Sequence, residues 1–80
     1  MKMPTTQQLK KLKDKYPAGS VVKLLAMDDL QAPPAGTIGI VTGVDDIGDI
    51  LVDWETGSHL KLIYGQDKWE VIKWTASKKN

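Results

Sequence analysis

From Gly36 to Trp74 the chain reads GTIGIVTGVDDIGDILVDWETGSHLKLIYGQDKWEVIKW, short runs of Val, Ile, Leu and Trp separated by turns that carry glycine and aspartate. Evenly spaced short strands joined by tight turns predict a small closed β-barrel. A barrel of this size has almost no interior to spare for a catalytic pocket, so its function is expected on its surface. The chain has 80 residues, which makes one domain near the lower limit at which a hydrophobic core outweighs chain entropy.

Ahead of the barrel, Pro4-Thr5-Thr6 followed by QQLKKLKDKY predicts a short helix with a threonine cap. Leu9, Leu12 and Tyr16 form one narrow apolar stripe, suited to docking on the barrel, and Pro17 ends the helix. Ser20 to Met27 predicts a first strand, with Val22, Leu24 and Ala26 on one face and Lys23 outward. DDLQAPPAG is a long, proline-stiffened loop, and Thr37 to Val44 a second strand bent at Gly39 and Gly43. Asp45 to Asp49 makes a hairpin loop into Ile50 to Trp54, where Asp53 faces water and Trp54 faces inward. After a turn at Glu55 to Ser58, the stretch His59 to Ile63 offers Leu60 and Leu62 to the core. Tyr64 to Asp67 is expected as a single helical turn, and Trp69 to Trp74 as the last strand, its inward side left open because Glu70 and Lys73 fall on opposite faces. The predicted organisation is a basic helix at 1–16, a five-stranded, mainly β, SH3-like barrel at 17–74 and a disordered tail at 75–80.

The net charge of +1 hides a partition: +4 over residues 1–16, −6 over 17–72 and +3 over 73–80. Every basic residue is lysine. Arginine, whose rigid fork reads guanine and phosphate at two points, is absent, which disfavours sequence-specific nucleic-acid reading. There is no cysteine for a disulfide or thiolate site. No apolar run reaches the roughly 18 residues of a membrane span, so a soluble cytoplasmic protein is expected.

Tyr16-Pro17-Ala18-Gly19, Met27-Asp28-Asp29, Ala32 to Thr37, Gly39 to Asp46, Val52-Asp53-Trp54 and Ile63 to Asp67 together resemble the DUF4314 family, a small domain of bacteria, phages and mobile elements. The resemblance covers Tyr16 to Ile72. It implies an SH3-like fold and a bacterial or phage setting, and it implies no activity.

The acids Asp45, Asp46 and Asp49 lack the ligand order of an EF-hand and are better explained as turn formers; no metal or cofactor is expected. His59 beside Ser58 suggests a nucleophile and base, yet neighbouring strand residues face opposite ways and no second histidine or cysteine completes a site. An enzyme is therefore not expected. The five aromatics are all Trp or Tyr, which combine an apolar body with a polar tip and suit binding surfaces. Trp54 is assigned to the core. Because the long first loop and that helical turn border the ligand groove in SH3-like barrels, Asp28, Asp29, Tyr64 and Trp69, with Trp74 beyond the barrel's expected end, are the candidate partner-binding residues, the first four expected to form an acidic, aromatic-lined cleft for proline-rich or basic peptides; the alternative is that these aromatics cover a small core. The expected function is non-enzymatic binding of a protein or peptide. The alternative is non-specific nucleic-acid binding through the basic ends, and a third use is self-association of the lysine-rich helix with the acidic body of another copy.

Overall fold

The computed structural model describes residues 4–73. Trp74 and the expected tail at 75–80 lie outside the described residues. Among the described residues, one helix, α1 (Thr6–Lys15), precedes five strands: β1 (Val21–Ala26), β2 (Ile38–Val44), β3 (Asp49–Trp54), β4 (Leu62–Ile63) and β5 (Lys68–Lys73). The strands make a single antiparallel sheet in the order β4-β3-β2-β1-β5, so the last strand returns to lie beside the first. The mainly β, five-stranded fold with a short N-terminal helix is the expected one. β4 and β5 stand at the two ends of the sheet, and the turn at 64–67 joins them.

Thr5 starts α1 with a capping box, its hydroxyl accepting from the Gln8 amide at 3.1 Å while the Gln8 side chain accepts from the Thr5 amide at 2.9 Å. No residue within the helix is fully buried. Docking rests on half-buried Leu12 and on Tyr16, the buried C-cap residue, because a helix this short is marginal alone.

Two tetrapeptides, Pro17-Ala18-Gly19-Ser20 and Pro34-Ala35-Gly36-Thr37, adopt the same turn ahead of β1 and β2. In each, glycine has positive φ (96° and 95°) and the Ser20 or Thr37 amide donates to the proline carbonyl at 3.1 Å. The buried hydroxyls of Ser20 and Thr37 donate to those same carbonyls at 2.7 and 2.6 Å, which satisfies the polar atoms they bring into the core.

The core is Tyr16, Val22, Leu24, Val41, Ile50, Val52, Trp54 and Leu62, with Leu12, Met27, Val44, Trp69 and Val71 packed against it. Fully burying such side chains contributes roughly 1.5–3 kcal/mol each. Trp54 is buried as expected, and its indole N–H donates to the Leu60 carbonyl at 2.9 Å. That bond occupies the backbone of Leu60, which is only half-buried. The expected strand from His59 shrinks to Leu62–Ile63, and of the expected core pair Leu62 alone is buried.

Register shifts bend the sheet. Between Leu24 and Ala26 the β1–β5 pairing skips Leu25, between Val21 and Val22 it skips Ile72, and the β2–β3 pairing skips Thr42 beside Gly43. Each skipped residue breaks the alternation of faces. Ala26 therefore points outward against expectation, and Leu25 and Ile72 are exposed at 45% and 51%. Gly43 sits at its bulge as expected. Gly39 has another role: it lies opposite Trp54 in the register, and a β-carbon there would come within 2.6 Å of the indole. The open question of β5 is settled by Lys23, which is directly opposite Glu70 and pairs with it at 3.8 Å on the outer face. Trp69 and Val71 consequently turn toward the core.

Candidate functional site

Three aromatic side chains converge from three parts of the fold. Tyr16 closes α1, Tyr64 opens the 64–67 turn and Trp69 lies in β5. Their ring centroids are 5.6 Å (Tyr16–Trp69), 6.3 Å (Tyr64–Trp69) and 6.5 Å (Tyr16–Tyr64) apart, at tilted or edge-on angles of 59–63°. These are favourable aromatic geometries. The Lys15 ammonium stands 5.6 Å from the Tyr16 ring and 6.0 Å from the Tyr64 ring, within cation–π range. Tyr16 is buried, Trp69 is half-buried and Tyr64 is 53% exposed, so the cluster is anchored in the core and ends at the surface.

The turn that presents Tyr64 is not a helical turn. The Gln66 and Asp67 amides both donate to the Ile63 carbonyl at 3.0 Å, but Gly65 has φ 87°, which no right-handed helix contains. Asp67 fixes the turn from within, its buried carboxylate accepting from the Ile63 amide at 2.8 Å.

Two grooves meet at Tyr64. The larger, about 610 Å³, runs between α1 and the β2–β3 hairpin loop. Its helical wall is Gln8, Lys11, Leu12 and Lys15, residues spaced to share one face; its opposite wall is Ile47, Gly48 and Asp49; Ile63 and Tyr64 close one side and Pro4 adds to the lining. The smaller groove, about 320 Å³, lies on the other side of Tyr64 among Tyr16, Leu25, Lys68 and Trp69.

Of the candidate residues, Tyr64 and Trp69 are brought together, whereas Asp28 and Asp29 line neither groove. Both aspartates are exposed in the β1–β2 loop, where Asp29 accepts from the Gln31 amide at 2.7 Å. Trp74 is outside the described residues. The charges beside the grooves are thus set by Lys11, Lys15 and Lys68. Asp67 is committed to its turn, and Asp49 lies 3.6 Å from Lys61. An acidic cleft is not formed there.

The acidic hairpin loop has a structural use. Asp45 accepts from the amides of Ile47 (3.2 Å) and Asp49 (2.9 Å) and from Lys61 (3.0 Å). Partial burial pushes the Asp45 carboxyl up, but the hydrogen bonds from Lys61, Asp49 and Ile47 outweigh it and hold the group below its ordinary value. Lys61 is raised, chiefly by its hydrogen bond to Asp45. His59 is exposed with Nδ1 2.8 Å from Asp53, while the Ser58 hydroxyl accepts from the Leu60 amide at 3.2 Å; neither residue lines a groove.

Sequence reasoning missed Tyr16, Lys15 and the helical wall as parts of this surface. The spacing of Gln8, Lys11, Leu12 and Lys15 carried the signal, but the apolar stripe was read only as a docking face.

The family model of a domain of unknown function, DUF4314, matches residues 5–72, a stretch that includes the helix, all but the last residue of the sheet and the whole aromatic cluster. The chain belongs to the DUF4314 family. No curated protein and no solved structure matches it. Among the described residues, no helix is long and apolar enough to cross a membrane.

Proposed function

We propose that this DUF4314 chain is a non-enzymatic interaction module of a bacterial or phage cytoplasm, holding a segment of a partner protein against Tyr64 and the groove beside α1. One observation carries the reading: an exposed tyrosine, backed by Tyr16 and Trp69, stands between two grooves. A rigid aromatic anchored in a core loses little conformational entropy on binding, which is why such residues dominate protein interfaces. Apolar grooves beside it give a partner side chains to fill and exclude water. The lysines along the rim favour a partner carrying carboxylates, replacing the basic or proline-rich ligand expected from the sequence.

Panning a display library of short random peptides against the full chain, followed by amide-shift mapping, tests the reading. Selected peptides should shift Leu12, Lys15, Tyr64 and Gly65, and Tyr64→Ala should weaken them at least roughly tenfold. Peptides that map elsewhere, or that bind Tyr64→Ala equally well, would sink it. Saturable shifts of sheet residues by duplex DNA or RNA that persist at moderate salt would favour the nucleic-acid alternative.

A further inference from the structure

The chain carries both halves of a complementary contact. The receiving half is the groove beside α1, where Lys11 and Lys15 stand one helical turn apart on either side of Leu12, with Ile47, Ile63 and Tyr64 completing an apolar floor. The inserting half is the β1–β2 loop, where Leu30 is fully exposed (relative exposure 106%) directly after two exposed aspartates, Asp28 and Asp29. Among the described residues, neither aspartate forms an ion pair. The loop residues line neither groove, so the two halves are separate patches of the surface.

We infer that the occupant of the α1 groove is the Asp28-Asp29-Leu30 loop of a second copy of this chain. The inference rests on the proposed role of that groove and names its partner. Leu30 enters the apolar floor while the two carboxylates meet Lys11 and Lys15. Those lysines are about 6 Å apart along the helix, within reach of two consecutive aspartates whose Cα atoms are about 3.8 Å apart. The groove's own acid, Asp49, offers little repulsion because Lys61 stands 3.6 Å from it. Two distinct patches that fit one another make an isologous dimer if exchanged reciprocally, and otherwise a heterologous contact that closes into rings or extends into chains. With one apolar side chain and two exposed charge pairs per contact, the self-association is weak and transient, its Kd on the order of 0.1–1 mM.

The test is a dilution series of the full chain from about 2 mM to about 0.02 mM, bracketing that Kd, followed by amide shifts and sedimentation at low and moderate salt. Concentration-dependent shifts should fall on both Leu30 and the Lys11–Lys15 face, and salt should weaken them. Leu30→Asn, which alters only a fully exposed side chain, should weaken association at least roughly tenfold. So should the double reversals Lys11→Glu with Lys15→Glu, and Asp28→Lys with Asp29→Lys, each confirmed as folded by circular dichroism. Mixing the two reversed chains should restore association to near the original strength, because each then meets opposite charge in both directions. Absence of concentration dependence at low salt, indifference to Leu30→Asn, or no recovery on mixing would overturn the inference. A strictly monomeric chain whose selected peptides still map to Tyr64 would defeat self-occupancy while leaving the interaction-module reading standing.

Discussion

Gly39→Ala and Gly43→Ala place the same methyl group in one strand and should give opposite results. At Gly39 the added β-carbon would lie 2.5 Å from Val52 Cγ1 and 2.6 Å from Trp54 Cε3, where carbon contacts prefer about 3.5–4.0 Å. Relief requires moving the indole by about 1 Å, yet Trp54 is held by its 2.9 Å bond to the Leu60 carbonyl. Overpacking costs about 1–3 kcal/mol, and weakening that hydrogen bond about 1 kcal/mol more. Against this, alanine restricts the unfolded chain and returns about 0.4–1 kcal/mol. The net expectation for Gly39→Ala is a loss of about 2 kcal/mol, which lowers Tm by about 8–16 °C in a domain of this size. At Gly43 nothing lies within 4 Å and φ is not positive, so Gly43→Ala should be neutral or slightly stabilising. Urea and thermal unfolding followed by tryptophan fluorescence measure both. A Gly39→Ala protein as stable as the parent would refute the close packing of Trp54 over β2. Equal destabilisation of both variants would show that bending, and not packing, selects these glycines.

Gly48→Ala should cost about 1–2 kcal/mol and loosen α1, because Gly48 has φ 87° and a β-carbon there would reach 3.3 Å from Pro4 and 3.5 Å from Leu12. Far-ultraviolet circular dichroism should show helix loss before sheet unfolding; full retention of helix would contradict the docking. The Asp45–Lys61 pair makes stability depend on pH. Asp45 titrates below its ordinary value of 3.8, so its contribution is full above that value and lost as pH falls through the lowered folded one. Lys61 titrates above its ordinary value of 10.5, so its contribution is full below that value and lost as pH rises through the raised folded one. Lys61→Met should flatten both edges of the stability–pH profile, and an unchanged acid edge would show that the backbone amides alone hold Asp45.

Much of the fold is local and therefore readable. The alternation Ile50-Val52-Trp54 puts three side chains on one face wherever the strand lies, and all three are buried. The turn at Asp45 to Asp49 follows from aspartate's capacity to accept nearby amides. Even the paired proline turns at Pro17 and Pro34 were visible as PAGS and PAGT, and the repetition was missed although nothing non-local was needed to see it. The outward Ala26 was not readable in the same way. Its face depends on where β5 skips Leu25, a property of the pair of strands and not of either alone.

The candidate surface divides along the same line. Tyr64 and Trp69 are close in sequence and were identified as partners, but Tyr16 reaches them only because α1 docks across the sheet. Asp28 and Asp29 were assigned to the same cleft by analogy of loop position, and the folded chain presents them elsewhere. Residue type and period-two spacing by themselves determined β1, β2, β3 and β5, the hairpin turns beside β3 and an inward Trp54, since these follow from backbone geometry over a few residues. Strand register, the two shifts between β1 and β5, the aromatic cluster and the lysine-walled groove were decided only by tertiary structure. Each needs two segments distant in the chain to meet, and their alignment is set by the shared core that both must fill.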